Sequence, residues 1–123
     1  MTLVLNGTTG ITVDGVLTAN VLGGATTAAV NDGTYSSGTY TPVTTGGNMR
    51  YITNNGAFTL AAPSGTSFAM VIQITNGASA GAITLSGFTF TVGNPFTTTN
   101  GDRFFLNITK INTAILASVV ALQ

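Results

Sequence analysis

The chain has 123 residues, enough for one ordinary domain and too few for two good cores, so any second region is expected to be an arm or tail. Charged side chains make up 5% of it and sum to zero: Asp14, Asp32, Asp102, Arg50, Arg103 and Lys110. A surface this poor in charge does little to keep copies apart, three scattered cations form no basic stripe for nucleic acid, and 44% hydrophobic residues argue against disorder.

From Thr2 to about Ser37 the sequence offers short apolar pieces, Leu3 to Leu5, Ile11 to Val13 and Val16 to Leu22, broken by Gly, Asn and Asp. Tyr35 is the only aromatic residue there, so the stretch is too fragmented to build a core of its own. Residues 1–37 are expected to form an extended N-terminal arm between subunits, with Leu3, Val4, Leu5, Ile11 and Val13 as its contacts. The N-terminus lacks a basic segment followed by a sustained apolar one, and no run of about 18 apolar residues occurs, so neither a secretory signal nor a membrane span is expected.

From Gly38 onward, strand-sized runs alternate with turn residues. Met49 to Thr53 and Ala57 to Ala61 flank Asn54-Asn55-Gly56, which predicts a β-hairpin because Asn and Gly tolerate left-handed turn conformations. Ala69 to Thr75 places Met70, Ile72 and Ile74 on one face, and Asn76-Gly77 closes it. Gly81 to Leu85 and Phe88 to Val92 read as strands bent at Ser86-Gly87, with Gly93-Asn94-Pro95 as a stop. After a loop over 97–102, Arg103 to Thr109 aligns Phe104, Leu106 and Ile108, and Lys110 to Thr113 reads as a turn. Ala114 to Leu122 is apolar on both faces save Ser118, as in a central sandwich strand or a subunit interface.

This pattern predicts an all-β fold, an antiparallel β-sandwich over 38–123, jelly-roll-like or barrel-like, with the arm appended. Asn-Gly recurs at 6–7, 55–56, 76–77 and 100–101, but unequal intervals and differing flanks read as independent turns and not as a solenoid repeat.

The chemistry of catalysis is missing from the composition. Without His, Cys or Glu, neither the usual general base nor a thiolate nucleophile exists, and the carboxylates reduce to three Asp. Asp14 and Asp32 sit in Gly-flanked turns where Asp bonds local backbone, and Asp102 beside Arg103 suits an ordinary strand entry. No enzyme activity, cofactor or metal is expected. The loop from Asn94 to Asp102 has oxygen donors but no calcium-binding motif, and Gly46-Gly47-Asn48 lacks the strand, Lys and helix of a phosphate loop. The absence of Cys also removes disulfides and thiolate metal sites. Tyr40 and Tyr51 are candidates for surface recognition, since exposed rings stack on sugars; this keeps open a carbohydrate-binding module.

Several segments resemble a β domain of tailed-bacteriophage virion proteins. They are Gly38-Thr39-Tyr40-Thr41-Pro42, Gly47-Asn48-Met49-Arg50-Tyr51, Asn55-Gly56-Ala57-Phe58-Thr59-Leu60, Thr75-Asn76-Gly77, Gly81-Ala82-Ile83-Thr84 and Ala121-Leu122-Gln123. The opening Asn6-Gly7-Thr8-Thr9-Gly10-Ile11-Thr12 is similar to Gly-Thr-rich segments of phage fibre proteins. The resemblance implies a small virion structural protein, commonly a homotrimer, whose partners are itself and the major capsid protein or other virion proteins. Two roles follow: a capsid decoration or cement protein on the capsid surface, and a tail fibre or spike domain recognising the host. A fibre usually needs a long shaft, whereas this sequence ends after one domain, so the decoration role is the expectation. Its mechanism would be burial of apolar arm surface and strand addition across capsid subunit boundaries.

Overall fold

The structure, a computed structural model, describes residues 28–122. Nine strands are its regular elements: β1 (Val30–Tyr35), β2 (Thr39–Tyr40), β3 (Met49–Asn54), β4 (Phe58–Ala61), β5 (Phe68–Asn76), β6 (Ile83–Ser86), β7 (Phe90–Gly93), β8 (Arg103–Ile111) and β9 (Ala114–Leu122). They form a six-stranded sheet in the order β1-β3-β5-β8-β9-β7 and a three-stranded sheet in the order β2-β4-β6.

From β1 to β6, successive strands alternate between the two sheets, and within each sheet these strands lie side by side in parallel. The chain therefore winds as a β-solenoid of about four turns. The expected antiparallel sandwich, jelly roll or barrel is overturned. Alternation within a strand gives its buried face but not the direction of its neighbour, and here the neighbour is supplied by the next coil. The hairpin expected at Asn54-Asn55-Gly56 is corrected for the same reason. β3 pairs with β1 and β5, β4 pairs with β2 and β6, and the three residues turn a corner between sheets.

The dismissal of a repeat is corrected too. Asn54 and Asn76 are equivalent corner residues, 22 positions apart and in register across β3 and β5. The Asn-Gly dipeptides hide this equivalence because the first corner inserts Asn55 before Gly56.

The regular winding changes after β6. β7 runs parallel to β9, while β8 is antiparallel to both β5 and β9. The β8–β9 hairpin, turned at Asn112 with φ 54°, is thus inserted between the third and fourth coils of the larger sheet. Lys110 lies within β8, one strand residue before that turn.

Alternate residues of β2, β3, β4, β5, β8 and β9 fill the space between the sheets, whereas all four residues of β7 are exposed. Ile52, Met70, Ile72, Ile74, Phe104, Leu106, Ile108, Ile115, Ala117 and Val119 come from the larger sheet and Tyr40, Phe58 and Leu60 from the smaller. The apolar faces read for β5 and β8 are therefore the buried ones, and of the two apolar faces of β9 the one carrying Ile115, Ala117 and Val119 turns inward. Tyr35 joins this core, its ring 4.6 Å from Tyr40 and 5.6 Å from Phe58, centroid to centroid. β1 thus belongs to the sheet, although it lies in the stretch read as arm.

Candidate functional site

The buried polar side chains are occupied by structural work. Arg50 enters the core from β3, where its guanidinium Nη1 meets both carboxylate oxygens of Asp32 at 2.8 and 2.9 Å, and Nη2 donates to the Thr45 carbonyl at 2.6 Å. Tyr40 Oη donates to the same carboxylate. Burial, followed by this hydrogen bond, pushes the Tyr40 phenol far above its ordinary value of 10.0, because ionising it would place a second anion beside Asp32. Burial and the same carboxylate raise Tyr35 as well.

Its Gly-flanked position in the sequence marks Asp32 as a turn residue. It lies instead inside β1 at a bulge between Asn31 and Thr34, where Gly33 takes φ 94° and its amide bonds the Asn31 side chain. The bulge turns Asp32 toward Arg50, and this partnership had no local signature in the sequence.

The second polar cluster is a ladder at one corner of the coil. Asn54 Nδ2 donates to Asn76 Oδ1 at 2.9 Å and to the Gly81 carbonyl at 2.9 Å, while Asn54 Oδ1 accepts from the amides of Gly56 and Gly81. Asn76 Nδ2 continues to the carbonyls of Thr97 and Thr99. Each asparagine thus satisfies main-chain groups that the corner would leave unpaired. Asp102 does similar service, accepting from Thr97 Oγ1, and Lys110 Nζ donates to the Gly65 carbonyl at 2.7 Å. Among the described residues no group of three or more His, Cys, Asp or Glu could hold a metal ion, and no helix is long and apolar enough to cross a membrane.

Two surface features remain accessible. One is a groove of about 530 Å³ beside β6, lined by Ile83, Leu85, Val92, Pro95, Phe96 and Val119 among others. Phe58 N donates to Ala82 O and Ala62 N to Ser86 O, so the even-numbered residues of β6 and its approach bond β4. Ile83 and Leu85 therefore turn their main-chain groups toward the groove, at an edge with no further strand among the described residues. The other is the outer face of the six-stranded sheet, where Met49, Tyr51, Phe90, Val92, Phe105, Leu116 and Val120 are exposed.

Of the residues singled out in the sequence, Leu3, Val4, Leu5, Ile11 and Val13 lie outside the described residues, as does Asp14. Tyr40 is 3% exposed and serves the core, so it offers no ring for stacking. Tyr51 is 40% exposed on the outer face of β3. The structure does not bring the two tyrosines together on one surface. The β6 edge escaped sequence reading because it depends on the fourth coil supplying no strand to the smaller sheet. The outer face was half legible in the doubly apolar pattern of Ala114 to Leu122.

These features define an all-β solenoid whose buried polar side chains bond one another and the backbone, Arg50 Nε alone lacking a partner among the described residues, and whose accessible features are an open strand edge and an apolar sheet face. No protein-family model, curated protein or solved structure matches the chain.

Proposed function

We propose that this chain is a non-enzymatic structural protein of a tailed-phage virion, working as a trimeric capsid decoration protein through apolar and β-strand contacts with its copies and with capsid subunits. The observation that carries the contact mechanism is the β6 edge, where the main-chain groups of Ile83 and Leu85 face a groove with apolar walls. An extended segment of a neighbouring subunit laid there would pair its backbone with β6 and bury side chains against Leu85 and Phe96. The phage setting rests on the sequence resemblance alone.

A fibre or spike role is the second reading, and one observation favours it. A solenoid extends by adding coils, and β1 and β7 run in the same direction at opposite edges of the larger sheet, as a lengthwise assembly requires.

Cryo-electron microscopy of purified particles tests both readings. Copies spread over the capsid lattice support the decoration role. Density confined to a vertex, neck or tail replaces it with the fibre or spike role, and absence from particles defeats both.

A further inference from the structure

The geometry points to the outer face of the six-stranded sheet as the surface on which copies of this chain pack against one another. This rests on the self-association part of the proposed function and adds the face and the occupant.

Strand register places the exposed side chains in continuous rows. Phe90 lies beside Leu116 across β7 and β9, and Phe105 lies beside Val120 across β8 and β9. Gln73 links Phe105 to Tyr51 on β3, and Val71 lies next to Met49. Between these rows come Asn107, Ser118 and Val92, which are neutral. The only charge on the face, Arg103, stands at its margin beside Leu122 and Thr75.

The smaller sheet is the internal comparison. Its outward residues are Thr39, Thr59 and Thr84 in one row and Ala61 and Ser86 in the next, with no large apolar side chain among them. The same chain thus puts hydroxyls on one outward face and aromatic and aliphatic groups on the other, so the apolar face is not a by-product of overall composition. Phe90 and Val92 are 61% and 53% exposed although strand β7 carries only four residues.

The area suits a second copy. Tyr51, Phe90, Val92, Phe105, Leu116 and Val120 expose together roughly 500 Å², and the neutral residues between them bring the face to about the 800 Å² per partner of a standard interface. With Arg103 confined to the margin, the centre of the face offers nothing to select a charged partner, whereas the same neutral surface on another copy meets it without an unpaired ion. Contact also removes an apolar patch at the upper end of what a monomer normally exposes.

The test is the mass of the full chain in solution by light scattering after size-exclusion chromatography, for the parent and for Phe105→Lys/Val120→Lys. The parent is expected at the mass of two or more copies and the double variant at one, with an unchanged far-ultraviolet circular dichroism spectrum. Because the lysines disturb neighbouring strands, single cysteines placed in this cysteine-free chain decide the matter independently. Val120→Cys should cross-link between copies with a short bis-maleimide, and Thr59→Cys, on the outward side of the central strand β4 of the smaller sheet, should not. A parent of single-chain mass, a folded double variant that keeps the oligomer, or equal cross-linking at the two positions overturns the proposal. Particle localisation is a separate readout: an oligomer formed through this face but absent from virions removes the phage reading and leaves the interface standing.

Discussion

Asn54 and Asn76 stack directly on one another in consecutive coils, Asn54 Nδ2 donating to Asn76 Oδ1 at 2.9 Å with both side chains buried. Asn54 fills both of its donor hydrogens and accepts twice, so its removal leaves several corner groups without partners. Asn54→Ala is expected to lower stability by about 2–4 kcal/mol, and Asn76→Ala by a similar amount. Denaturant unfolding of both single variants and the double should give a coupling of about 1 kcal/mol or more. Strict additivity would show that the ladder is not a unit.

The Asp32–Arg50 pair joins the first coil to the second, with the guanidinium side chain 3% exposed and the carboxylate side chain 16% exposed. Asp32→Asn leaves a buried guanidinium without its counter-ion and is expected to cost about 3–5 kcal/mol. Replacing both, as Asp32→Asn/Arg50→Met, should cost clearly less than the sum of the single changes, because no charge is then left unpaired. Guanidinium-chloride midpoints for the three variants check this, and a fully additive double would refute the pairing as the source of the loss.

Tyr40 ties stability to alkaline pH. Its folded pKa is raised above the unfolded value of 10.0, so the folded state favours the neutral phenol. The contribution is complete below pH 10.0 and is lost as pH rises above it. Urea midpoints should fall above that pH in the parent and fall less in Tyr40→Phe, with Tyr35 supplying part of the residual slope. Identical slopes in the two proteins would rule out Tyr40 as the origin.

Gly81 marks a place where the backbones of two coils approach closely. A Cβ at Gly81 would lie 2.1 Å from the amide nitrogen of Ala57 and could not be relieved by turning a side chain. Gly81→Ala is expected to lower stability by about 3 kcal/mol or more by separating the first turns of β4 and β6. Calorimetry showing a transition unchanged from the parent would contradict this close approach.

The sequence by itself determined which faces of β5 and β8 are inside. Met70, Ile72 and Ile74 on β5 and Phe104, Leu106 and Ile108 on β8 are buried as their alternation requires, since a strand exposes its two faces to different solvents. It also determined the stops at Asn76-Gly77 and Gly93-Asn94-Pro95, which follow from local backbone chemistry. Only the tertiary structure decided what each strand pairs with. A period of two residues is the same in a hairpin and in a solenoid coil, so Asn54-Asn55-Gly56 had the composition of a reversal and became a corner. The ladder from Asn54 to Asn76 and the turn of Asp32 toward Arg50 belong to the same class. They bring together residues 22 and 18 positions apart through a winding that no local window contains. The outer face of the larger sheet likewise exists only once β3, β8, β9 and β7 have been assembled side by side, which is why Phe90 and Phe105 looked unrelated along the chain and share one surface in space.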